Sequence, residues 1–166
     1  MRTWKRLQAA RRMVSETPWA PAVLLTLELE RYRALTEHQP GWIAAQLGLS
    51  EEEEARCLEV LEQAGSIRLR DGLWEQTRVP IVDVRRPGMG LELRRWWGQV
   101  GLDRLRNDPE CFVSWNLFTV SQEEFEQIKV LQREHHRAVR ATAAGSERHE
   151  RLVLNHLQLM TLDEGG

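Results

Sequence analysis

The side chains best suited to chemistry in this chain are few, and most lack a partner at a useful spacing. Glu134, His135, His136, His149 and His156 make up its one dense histidine group. Neighbouring residues on a helix diverge by about 100°, so His135 and His136 cannot both reach one ion in regular geometry. The His-Glu-x-x-His spacing of zinc hydrolases is absent, and His149 and His156 have no cysteine nearby. No metal is expected. Cys57 and Cys111 are the only cysteines, too few for a disulfide scaffold or a four-cysteine zinc site. Cys57 sits beside Leu58 in a helical stretch, where a thiol ordinarily serves as a small buried hydrophobe. Gly88-Met89-Gly90 lacks the rest of a phosphate loop, and neither Gly-x-Ser-x-Gly nor a Rossmann fingerprint occurs. The expectation is a protein that is not an enzyme and carries no cofactor.

Arginine and tryptophan offer binding chemistry instead. Arg68 and Arg70 occupy alternate positions of a strand-like run, from which they reach phosphate or a minor groove. Arg2, Lys5, Arg6, Arg11 and Arg12 form the densest basic cluster, which reads as a phosphate-binding arm, a partner-binding helix or a solvated tail. Arg85-Arg86 and Arg94-Arg95 add a second cluster. Trp96 and Trp97 stand about 100° apart on a helix, so a narrow core stripe has comfortable room for one. The other is either covered by a neighbouring element or offered to a protein partner, for which tryptophan is a common anchor.

The elements that must position these groups follow from patterning. The 166 residues, 42% hydrophobic and 29% charged, suit a folded chain of one domain or two small ones. Thr17-Pro18 predicts a helix start, with Thr17 as cap, and Trp19 to Leu35 is apolar enough for a core helix. Pro40-Gly41 interrupts, Trp42 to Leu47 is a short helix, and Gly48 ends it. Ser50 and Glu53 form a capping box for a third helix that stops at Gly65. Ser66 to Arg70 alternates, Asp71-Gly72 is a hairpin turn, and Leu73 to Thr77 returns. Three helices and a hairpin in this order make a winged-helix pattern.

A linker is expected over residues 79–90, where Pro80, Pro87, Gly88 and Gly90 fall. Beyond it, 91–106 reads as a helix, Cys111 to Val120 as a strand, a second capping box at Ser121 and Glu124 starts a long helix, and Arg151 to Leu162 is a last strand. The pattern allows parallel or antiparallel pairing of the two strands. The fold class is therefore α+β: a basic arm over 1–17, a winged helix over 18–78, the linker, and a helix–strand–helix–strand half over 91–166.

Gly41-Trp42-Ile43-Ala44-Ala45-Gln46-Leu47-Gly48-Leu49-Ser50, then Leu58 to Gly65, Phe118-Thr119-Val120-Ser121 with Phe125 to Lys129, and Leu157 to Leu162 together resemble a bacterial family of unknown function. The resemblance spans roughly residues 18–162. It implies a winged-helix plus α/β region that normally follows an N-terminal helix-turn-helix DNA-binding domain, in proteins described as regulators of transcription. Residues 1–17 are too short for such a domain, so a shortened relative or a fragment is expected, with no DNA affinity inherited from that domain.

Charge distribution bears on whether duplex DNA is bound at all. The net charge of −2 excludes a chain that holds nucleic acid by overall charge, and residues 37–66 alone carry −6. Glu51 to Glu54 open the helix that would enter a major groove and would face negative phosphates and base edges. The leading functional expectation is a bacterial regulator of transcription, and a second reading is its alternative. The first is a non-enzymatic regulatory protein of winged-helix type that touches double-stranded DNA through Arg68, Arg70 and the N-terminal cations. The other is a protein-interaction or homodimerisation module without DNA affinity. No apolar run approaches the roughly 20 residues of a membrane span, and no apolar signal region follows the basic start, so a cytoplasmic chain is expected.

Overall fold

A computed structural model describes residues 17–77, 89–105 and 110–162. Within them the fold is mixed, with helices and one small two-stranded antiparallel sheet, which makes it α+β. Cα proximity divides these residues into two compact units: 17–77 with 89–98 and 148–153, and 99–105 with 110–147 and 154–162.

In the first unit the run expected as one helix forms two, α1 (Ala20–Thr26) and α2 (Glu30–Arg33). Leu27 and Leu29 explain the break. Two positions apart lie on nearly opposite sides of a helix, yet both leucines are buried. Interrupting the helix turns both inward. The start also moves: Trp19 is the N-cap, Pro21 occupies the first turn, and no side chain caps the end, so Thr17 is not the cap.

The next elements match their sequence signals. α3 (Trp42–Leu47) lies between Gly41 and Gly48, both in the left-handed region. α4 (Glu51–Gln63) has the complete Ser50–Glu53 capping box, with Ser50 N donating to the Glu53 carboxylate at 2.8 Å. Its inner face carries Glu54, Cys57, Leu58 and Leu61. β1 (Ile67–Arg70) pairs with β2 (Leu73–Gln76), and Asp71-Gly72 form the two-residue turn with φ of 48° and 84°, the signs a type I′ turn requires. Helices followed by this hairpin are compatible with a winged-helix arrangement.

Val23, Leu24, Tyr32, Ile43, Leu61 and Ile67 lie at the centre of the core. Each such fully buried aliphatic side chain is worth about 1.5–3 kcal/mol relative to exposure. The hairpin is fastened to the helices by polar contacts as well. Gly72 O accepts from His38 N at 2.7 Å, and Leu24 O accepts from the Gln76 side chain at 2.6 Å. Residues 148–153 join the same unit: Arg148 donates twice to the Glu30 carboxylate, at 3.2 and 3.1 Å, His149 O accepts from Glu30 N, and Leu152 packs on the core.

α5 (Met89–Arg104) and α6 (Gln122–Ala144) complete the described helices. α6 starts at the second capping box, Ser121 with Glu124, as its sequence indicates. The two strands expected over Cys111–Val120 and Arg151–Leu162 do not form, since neither segment has a ladder partner among the described residues. The reason is physical: a strand's backbone bonds come from a neighbouring strand, and the described chain offers these segments none. Among the described residues no ladder joins the two segments, parallel or antiparallel. Residues 79–88 of the expected linker and 1–16 of the expected arm lie outside the described residues.

Candidate functional site

Three places bring chemistry-bearing side chains together. The first is the hairpin. Arg68 and Arg70 share one face of β1 as expected, and both are exposed. The register sets Glu75 directly opposite Arg68. Glu75 Oε2 lies 3.4 Å from Arg68 Nη2 and 3.8 Å from Arg70 Nη1, and Asp71 Oδ2 lies 3.6 Å from Arg70 Nε. Two cations thus face two carboxylates, and the wing is locally neutral. Glu75 was absent from the sequence-derived site, although the two-residue turn at Asp71-Gly72 already dictates its register.

The second place is the start of α4. Glu51, Glu52 and Glu53 are exposed, but Glu54 turns inward and is 1% exposed. Its carboxylate accepts from Gly41 N at 3.2 Å and Ala44 N at 2.5 Å, closing the N-terminus of α3. Gly41 is required where it stands: φ is +84°, and a Cβ would come within 2.8 Å of the Glu51 carboxylate. His38 Nε2 lies 3.4 Å from Glu54 Oε1, and His38 Nδ1 lies 3.2 Å from Tyr32 Oη. Tyr32 Oη accepts from Trp74 N at 3.2 Å, tying the ring to the hairpin. Burial raises the Tyr32 pKa and lowers that of His38, outweighing the opposing pull of Glu54 on the imidazole. All four groups serve the packing of helices against hairpin. The missed signal for Glu54 is its spacing, because it precedes Cys57, Leu58 and Leu61 at three, four and seven residues.

The third is aromatic. Trp96 and Trp97 are both half-buried and both meet Trp19, with centroids 4.1 and 5.7 Å from it and rings close to perpendicular. Trp97 also packs on the core. One ring from another element accommodates two adjacent tryptophans on a helix.

The remaining candidates do not assemble. Among the described residues no group of three histidine, cysteine or acidic side chains is placed to hold a metal ion. Cys57 is buried, and burial pushes its thiol pKa up to about 11, leaving it a neutral hydrophobe; Cys111 is exposed. Arg94 and Arg95 are exposed on α5, whereas Arg2, Lys5, Arg6, Arg11 and Arg12 lie outside the described residues.

A family model for a domain of unknown function, DUF4423, matches residues 1–162. The chain belongs to that family. The match is continuous, so both units of this DUF4423 chain fall within one family region. No curated protein and no solved structure matches the chain. None of the described helices of this DUF4423 member is long and apolar enough to cross a membrane.

Proposed function

We propose that this is a non-enzymatic bacterial regulatory protein, cytoplasmic, that acts by protein–protein contact and uses its winged-helix-like unit as a rigid frame. The observation that carries this reading is the charge on the parts of that unit a winged helix turns toward DNA. Glu51, Glu52 and Glu53 stand exposed at the start of α4, and Arg68 and Arg70 already face Glu75 and Asp71. Three carboxylates entering a groove lined by phosphates oppose binding, and a neutral wing supplies little attraction to offset them. The likeness to regulators of transcription supports the regulatory part of the reading.

Duplex contact through the wing is the second reading. It is favoured by the shared exposed face of Arg68 and Arg70, whose surface ion pairs are worth only about 0–1 kcal/mol each and yield to a phosphate. Titrating the full chain with generic duplex DNA across salt concentrations separates the two. Protein contact gives no shift even at low salt, and Arg68→Glu with Arg70→Glu changes nothing. A salt-dependent shift that these substitutions abolish and Glu75→Gln strengthens, with a log–log slope of about −2 or steeper, overturns it.

A further inference from the structure

We infer that the second unit is one half of an interface with a second copy of this chain, which supplies the strands its own segments lack. The inference rests on the protein-contact reading and names the partner. Residues 111–120 and 154–162 have strand composition, yet among the described residues they make no backbone–backbone hydrogen bond. Neither segment contains a charged residue, a proline or a glycine. Chains that must keep a strand edge unpaired blunt it with lysine, proline or inward charge, and none of these devices is present. The segments are built to be paired.

Area sets the size of what covers them. Phe112 is 91% exposed, Trp115 83% and Leu117 76%. A buried aromatic contributes roughly 150–250 Å², so Trp115, with Leu117 on the same face of such a strand, brings a sizeable share of the ~800 Å² per partner of a standard interface, and Phe112 lies on the opposite face. α6 has no buried residue: of its apolar positions Phe125, Ile128 and Leu131 on one side, the first two are half-buried and Leu131 is exposed.

Three features select a second copy over a foreign protein. Two segments cannot hold as a sheet alone, since three or more strands or a helical cover are needed; doubling gives four strands and two helices. Uncharged segments pair with their own copies across a two-fold axis without setting like charges opposite one another. α6 runs from net acidic, with Glu123, Glu124 and Glu126 against Lys129, to net basic, with Arg133, Arg137 and Arg140 against Glu134. Two such helices side by side in opposite directions, an arrangement that a two-fold axis perpendicular to them allows, set acid against base.

Sedimentation equilibrium of the full chain tests this. The expected result is a reversible dimer of the 19.4 kDa chain, and Trp115→Arg with Phe112→Arg is expected to weaken self-association at least 100-fold while the far-ultraviolet helix signal persists. A second, independent pair of variants uses charge. Glu123→Arg with Glu126→Arg, and Arg137→Glu with Arg140→Glu, each weaken self-association several-fold, and mixing the two restores it at low salt. A wild-type chain that stays monomeric at all concentrations, or charge variants whose mixture associates no better than either alone, overturns the second copy. The duplex titration above reads the protein-contact proposal separately, because a monomer without DNA affinity leaves a different protein as the partner.

Discussion

Glu54 joins two helices with one carboxylate, and nothing about the run Glu51 to Glu54 distinguishes it until the register of the apolar face is counted. The other three glutamates are solvated; this one is 1% exposed and accepts two backbone N–H groups. Removing it leaves those donors unsatisfied at the buried end of α3. Glu54→Ala is expected to cost about 2–4 kcal/mol in urea unfolding, in line with charge-assisted hydrogen bonds of roughly 1.5–3 kcal/mol each. Glu52→Ala, on the solvated side, is the control and is expected within about 0.5 kcal/mol of wild type. His38 adds a pH dependence. Its pKa is held below the ordinary 6.5 by burial, so as pH falls the unfolded chain takes up the proton before the folded one. Stability is then complete above pH 6.5 and declines below it. Urea midpoints measured from about pH 7 to 5.5 are expected to fall in wild type and to fall less in His38→Gln.

Elements were legible in proportion to how local their signals are. Both capping boxes, the glycine stops and the Asp71-Gly72 turn are written within three or four residues, and each forms as its sequence indicates. The break between α1 and α2 was not legible, because it depends on Leu27 and Leu29 both being drawn to a core built by distant residues. Segments 111–120 and 151–162 show the complementary case. Their composition is that of strands, but strand formation needs a partner that these described residues do not supply. The hairpin allows a direct check of turn chemistry. Gly72 sits at φ +84°, and a Cβ there would lie 3.2 Å from Glu37 Cβ and 3.4 Å from Thr36 O. Gly72→Ala is expected to destabilise by about 1–2 kcal/mol, the cost of a left-handed L-residue, with thermal unfolding as the measurement.

Two kinds of surface coexist in the molecule. The first unit satisfies itself: no buried side-chain nitrogen or oxygen among the described residues lacks a partner, and its arginines on the wing are matched by carboxylates. The second unit leaves large apolar side chains exposed, and among the described residues its segments 111–120 and 154–162 make no backbone–backbone hydrogen bond. The candidate chemistry of the sequence therefore sorts by place. Cys57, Glu54 and the Trp19–Trp96–Trp97 cluster serve packing, whereas Phe112, Trp115 and the apolar side of α6 are what a partner would meet. Amide hydrogen exchange of the full chain, followed at concentrations above and below self-association, distinguishes a recognition surface from loose chain. The expected result is strong protection across 111–120 and 154–162 at high concentration, matching that of β1 and β2 and lost on dilution. Exchange at unstructured rates in both segments at every concentration would show that no second copy pairs with them.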